Sequence, residues 1–165
     1  MRGSKFLGNN SSQEGGAIDN ADLGDGTVSV SGSVLSGNNA GDAGGAIFNN
    51  GYGRVSISTS TLSGNGSASV GGAIANGYNY DDPFDVSYSP TGSTITVPWT
   101  PRLSVSTSMF SANDSFEGGA IANGEGVAAI AIVWGSTFSG NGTGGPTTNG
   151  ASLKPQSSVP GARYP

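Results

Sequence analysis

The sequence predicts an all-β chain: a parallel β-helix, or β-solenoid, of about five coils. Three observations carry this. The tetrapeptide GGAI recurs at 15–18, 44–47, 71–74 and 118–121, and two positions beyond each copy stands an amide, Asn20, Asn49, Asn76 and Asn123. A second motif falls into register with it: an apolar residue, two small residues and Asn, as FLGN (6–9), LSGN (35–38), LSGN (62–65), FSAN (110–113) and FSGN (138–141). A third alternates apolar residues with Ser, as VSVS (28–31), VSIS (55–58) and LSVS (103–106), with AIVW (131–134) the most altered copy. The Asn residues that close the second motif, Asn9, Asn38, Asn65, Asn113 and Asn141, lie 29, 27, 48 and 28 apart, so the unit is about 28 residues long. The long interval is one unit plus roughly twenty inserted residues between Tyr78 and Arg102.

Each motif earns its element from its pattern. Alternation with period two is a strand signal, and Gly and Asn between the runs are turn signals. Nothing of length has helical spacing. A unit of three short strands cannot bury its own apolar side, but stacked on copies of itself it can. The register then puts Ile18, Ile47, Ile74 and Ile121 in one internal ladder. Phe6, Leu35, Leu62, Phe110 and Phe138 form a second, and Val28/Val30, Val55/Ile57, Leu103/Val105 and Ala131/Val133 a third. The paired glycines predict a tight corner where φ is positive or a side chain would collide. The two Asn series predict amide ladders at turns, since Asn tolerates the left-handed region and stacked amides bond along the axis. A faint last copy, GGPTTNG (144–150), keeps the glycines and Asn-Gly of GGAIANG (118–124). One domain is expected over 1–150, with an insertion loop at 79–102 and a Pro- and Ser-containing tail at 151–165.

Composition narrows the classes. Leu, Ile, Val and Phe make up just under a fifth of the chain, yet the net charge is only −5 with 10% charged residues, which is not the signature of disorder. There is no Cys, hence no disulfide, thiolate site or Cys nucleophile, and no His, the commonest general base and metal ligand. The six basic residues are scattered along the chain, so no nucleic-acid footprint is expected. No run of about 18 apolar residues exists, so no membrane-spanning helix is expected. Residues 1–5 carry no apolar segment of a signal peptide.

The joint, in-register recurrence of GGAI and F-x-x-N over about residues 6–150 resembles the repeat signature of chlamydial-type polymorphic outer membrane proteins. The resemblance implies a right-handed β-helix passenger, exported, at a bacterial cell surface or secreted, and usually adhesive. The general preference for right-handed crossovers points to the same hand. Members are usually longer and carry a C-terminal outer-membrane barrel, for which 151–165 offers no counterpart.

Candidate contact residues cluster in the insertion, the least repetitive segment: Tyr80, Asp81, Asp82, Phe84, Asp85, Tyr88 and Trp99. Aromatic rings beside carboxylates suit sugar or protein contact, and long loops on a rigid scaffold are often functional. Glu14, Asp42 and Glu117 precede GGAI copies and are expected to share an edge; a polysaccharide-acting β-helix enzyme would need such carboxylates gathered in one cleft. The expectation is that they are solvated acids near a turn, with no catalytic residue, metal or cofactor. Outward serines (Ser29/Ser31, Ser56/Ser58, Ser104/Ser106) form a hydroxyl face, read as a soluble polar surface rather than an ice-binding one because Trp134 interrupts it. Phe6 follows the N-terminus almost at once and is an end-stacking candidate for head-to-tail association. The leading expectation is therefore a non-catalytic, extracellular structural or adhesive surface module whose partners are a cell-surface glycan or protein. A self-stacking filament subunit is the alternative.

Overall fold

The computed structural model describes residues 1–20, 25–78, 100–125, 129–142 and 147–149. In chain order the first strands are β1 (Lys5–Leu7), β2 (Asn10–Ser11) and β3 (Ile18–Asn20). The next coil holds β4 (Thr27–Ser31), β5 (Val34–Ser36), β6 (Asn39–Ala40) and β7 (Ile47–Asn49), and the following one β8 (Arg54–Ser58), β9 (Thr61–Ser63), β10 (Gly66–Ser67) and β11 (Ile74–Tyr78). Then come β12 (Arg102–Ser106), β13 (Met109–Ser111), β14 (Ile121–Glu125), β15 (Ile130–Trp134), β16 (Thr137–Ser139) and β17 (Thr147–Asn149). Every pairing among them is parallel, and each strand pairs with its counterpart one coil away. The result is a β-solenoid of about four turns with about 28 residues per turn.

Four sheets run along its axis. Sheet A has the order β15-β12-β8-β4, sheet B β1-β5-β9-β13-β16, sheet C β10-β6-β2 and sheet D β17-β14-β11-β7-β3. Sheets B and D each have five rungs, which is why a motif count suggests five coils where the chain completes about four. Sheet C corrects the expectation of three strands per coil. Its two-residue strands directly follow the ladder Asn and are too short to show alternation.

The expected registers hold: Phe6 on Leu35, Leu35 on Leu62, Ile47 on Ile74, Ile74 on Ile121 and Val55 on Leu103. The faint copy holds too, with Ile121 on Thr147 and Asn123 on Asn149. The inward side chains make one core, in which Leu35, Ile47, Leu62, Ile74 and Phe110 are fully buried. Each such side chain contributes about 1.5–3 kcal/mol from burial. Phe110 and Phe138 stack with ring centroids 4.8 Å apart. A second cluster was not foreseen: Phe48, Ala75 and Ala122, on the other face of sheet D, are buried with Ala43 and Val70.

The two glycines of GGAI serve different needs. Gly44 has φ +66, and a Cβ there would meet the backbone carbonyl of Ile47. Gly45 sits where a Cβ would strike the carbonyls of Gly66 and Gly72 in the next coil. The first shapes the corner; the second lets coils approach to the strand spacing of about 4.8 Å.

The end of the expected insertion lies within the coil. The Pro101 carbonyl accepts from the Ile130 N–H, and Arg102 opens β12 in register with Arg54. Residues 79–99 lie outside the described residues.

Candidate functional site

Most of the conspicuous polar side chains build the scaffold. In the first Asn ladder the Oδ1 of each rung accepts from the backbone N–H and Nδ2 of the rung before it. The bonds are 3.0 and 2.8 Å from Asn9 to Asn38, 3.0 and 2.9 Å from Asn38 to Asn65, and 3.1 and 2.9 Å from both Asn65 to Asn113 and Asn113 to Asn141. The second proton of each Nδ2 goes to a backbone carbonyl of the previous coil, as from Asn65 to Leu35 at 3.0 Å. In the second ladder Asn20 Nδ2 donates to Asn49 Oδ1 at 2.7 Å, Asn49 to Asn76 at 2.6 Å and Asn76 to Asn123 at 2.6 Å. These amides also hold the next strand: Asn49 Nδ2 reaches the Arg102 carbonyl at 3.3 Å, and Asn76 Nδ2 those of Ile130 at 3.2 Å and Pro101 at 3.5 Å. Asn65 and Asn113, each the first residue of an N-x-[ST] tripeptide, are buried.

A third polar ladder escaped sequence reading. Ser33 Oγ accepts from the N–H of Ser4 at 3.0 Å, Ser60 Oγ from Ser33 at 3.1 Å, Ser108 Oγ from Ser60 at 3.2 Å and Ser136 Oγ from Ser108 at 3.1 Å. Each hydroxyl donates two residues back, as Ser60 does to the Ser58 carbonyl at 2.8 Å. The usable signal is a constant offset: a Ser five residues before every ladder Asn, at 4, 33, 60, 108 and 136. In a chain this rich in Ser it does not stand out.

The acidic edge comes apart in three dimensions. Glu14 shares a column with Ala43, Val70 and Glu117, so two rungs separate the two glutamates. Asp42 belongs to the neighbouring column with Gln13 and Ser69. A shallow depression of about 530 Å³ lies here, lined by Ser12, Gln13, Glu14, Gly41, Asp42 and Ser69. Burial and then the charge of Asp42 raise the Glu14 carboxyl above its usual range; its own backbone N–H opposes this, and Asp19 adds to it. Among the described residues no three carboxylates gather to hold a metal ion.

The outer face of sheet A is the other candidate. Its outward positions form three columns along the axis: Thr27, Arg54, Arg102, Ile130; Ser29, Ser56, Ser104, Ile132; and Ser31, Ser58, Ser106, Trp134. The two arginines are exposed on adjacent rungs, and the last rung turns apolar, with Ile132 42% and Trp134 55% exposed. Charge is segregated around the coil. The described cations, Arg2, Lys5, Arg54 and Arg102, all stand on sheets A and B or in register with them, and no strand of either sheet contains Asp or Glu. Of the described acids, Asp19 and Glu125 are on sheet D, Glu14, Asp42, Asp114 and Glu117 follow the C-to-D side, and Asp25 alone stands beside sheet A, two residues before Thr27.

The insertion candidates Tyr80, Asp81, Asp82, Phe84, Asp85, Tyr88 and Trp99 lie outside the described residues. In the chain they fall between Tyr78, the end of β11 on sheet D, and Arg102, the start of β12 on sheet A. Phe6, the end-stacking candidate, is half-buried and packs against the main core. Among the described residues no helix is long and apolar enough to cross a membrane. Comparison of the chain with protein-family models, curated proteins and solved structures gave no match.

Proposed function

We propose that the chain is a non-catalytic adhesive and structural module of a bacterial surface, a rigid rod that presents contact surfaces outside the cell. One observation carries this reading. Three continuous side-chain ladders tie each coil to the next, and the coil tolerates an inserted segment whose base is held by Asn76. Such a scaffold is suited to carrying an inserted contact segment. The in-register GGAI and F-x-x-N signature, with its resemblance to polymorphic outer membrane proteins, supports export and adhesion.

The test replaces residues 79–99 with a short turn like the Asn50–Gly53 connection. The expected outcome is an unchanged far-UV spectrum and thermal midpoint, with loss of attachment of protein-coated beads to cell or glycan surfaces. Attachment that survives the deletion removes the segment from the contact surface.

Head-to-tail stacking into a filament is a second reading, and the direction of the ladders favours it. Each Asn and Ser rung donates to the following rung, so the two faces of any coil are complementary rather than identical. Electron microscopy of native material tests it: long rods support stacking, and single small particles at high concentration count against it.

A further inference from the structure

We infer that the outer face of sheet A is a docking surface for a linear acidic polysaccharide. Arg54 and Arg102 grip its carboxylate or sulfate groups, and its sugar rings lie across Ser56 and Ser104 toward Ile132 and Trp134. This rests on the adhesive reading and names the partner class.

The strands of sheets A and B carry no carboxylate, and the one described acid within two residues of a sheet A strand is Asp25, ahead of Thr27, so an anion over Arg54 and Arg102 meets little opposing charge from this face. Arg54 and Arg102 are in direct register, which sets their Cα atoms about 4.8 Å apart on an exposed face. Holding two like charges side by side gives no stability to the coil. A guanidinium pair does match carboxylate and sulfate, through parallel N–H bonds.

The rest of the face suits a sugar chain. Ser56 and Ser104 are exposed and in register, and each hydroxyl both donates and accepts. Trp134 stands about 13 Å further along the strand direction than Arg102 and one coil over, with 55% of its surface exposed. Its ring gives a pyranose a flat apolar partner with a polar edge. The contrast with sheet D is informative: there the outward Phe48, Ala75 and Ala122 are buried, whereas the outward apolar residues of sheet A are open.

Two other occupants fit less well. A second copy would have to bring its acidic edge to the arginine pair. Its two in-column glutamates are separated by Ala43 and Val70, so they do not match cations on adjacent rungs. Duplex DNA is held by many phosphate contacts along a track, whereas this face offers two cations on adjacent rungs and then an apolar rung.

The experiment uses the whole chain and four probes: polygalacturonate, heparin, neutral dextran and duplex DNA, each measured by calorimetry at low and physiological salt. Binding of polygalacturonate or heparin, weakened by salt, with no binding of dextran, is the expected result, and the two acidic polymers separate carboxylate from sulfate recognition. The double variant Arg54→Gln, Arg102→Gln should lower affinity about tenfold, and Trp134→Ala at least about threefold. Lys5→Gln, on sheet B, should change it less than about twofold. These side chains are exposed, so circular dichroism should show the fold intact. No binding of either acidic polymer, binding unmoved by both variants, or equal arginine-dependent binding of DNA each overturns the inference. Bead attachment is read separately. Beads that attach equally with and without the arginines sink this assignment and leave the adhesive reading standing. Beads that never attach, with glycan binding intact, sink the adhesive reading and leave the face.

Discussion

At the scale of single residues, the corners decide most. The residue before each ladder Asn has positive φ. It is Gly at 8, 37, 64 and 140, but Ala112 at φ 51 in the fourth copy. At the A-to-B corner Thr59 and Thr107 take φ 47 and 46 where other coils use Gly32 and Gly135. A Cβ at Gly32, Gly37 or Gly64 would have nothing within 4 Å, so the penalty at these two corners is conformational rather than steric. Ala112→Gly should therefore stabilise by about 0.5–1 kcal/mol, and Thr59→Gly by about 1 kcal/mol because a β-branched residue is worse there. Urea midpoints read both; a loss of stability in both would show that the corners do not carry this strain. The ladder Asn residues differ by place. Asn65 is 1% exposed, accepts two bonds from Asn38 and donates to Leu35 and Asn113. Asn65→Ala strands the buried amide of Asn38 and should cost about 3–5 kcal/mol. Asn9 is exposed, and Asn9→Ala should cost about 1 kcal/mol. Equal costs would mean that the ladder contributes little beyond filling space.

At the scale of elements, the C-to-D corner is where charge meets packing. Glu14 stands beside Asp42 and is partly withdrawn from water, so its folded-state carboxyl holds its proton to higher pH than in the unfolded chain. The protonated form thus favours the fold. Stability from this group is greatest below the unfolded value. It declines as pH rises through the interval up to the raised folded value and is flat above it. Glu14→Gln should remove that decline and raise the thermal midpoint slightly near neutral pH, the gain being small because the group is largely solvated. Thermal scans across the acidic range check it: curves for the two proteins that run parallel would reject the coupling. The motif lengths explain why the elements were readable. Five-residue strands of sheet A show their alternation openly, as in Arg54–Ser58. Strands of two residues in sheet C carry no period to detect.

At the scale of the whole molecule, each coil touches mainly its neighbours, so stability is a sum over interfaces. Val30, Ile57, Leu62, Ile74 and Val105 are fully buried, whereas Phe6, Ile18, Val28, Val133 and Phe138 are only partly so. Backbone amides of β8, β9 and β11 should exchange slowest with solvent, and those of β1 and β16 fastest, in a graded order along the axis. Uniform exchange across all coils would instead mean that the solenoid opens as one cooperative unit. The acidic residues illustrate the same scale. Glu14 and Glu117 look equivalent in sequence because both precede GGAI, but two coils carrying Ala43 and Val70 intervene.

By itself the sequence determined the solenoid, its inside and outside, the two Asn ladders and the purpose of the paired glycines. Those features are written in local alternation and in a spacing of about 28 residues, and a one-residue slip would turn every side chain to the wrong face. Only the tertiary structure decided what stands beside what across coils. It showed the Ser ladder, the short sheet C, the burial of Phe48 behind sheet D and the place of Pro101 and Arg102 in the coil. It also gathered the described cations onto one side of the coil and set the described carboxylates, Asp25 excepted, on the other. The physical reason is that the exact angle of each corner, not the residue spacing, sets which sheet a side chain joins. Neighbours separated by 27 to 48 residues in the chain then lie one strand spacing apart.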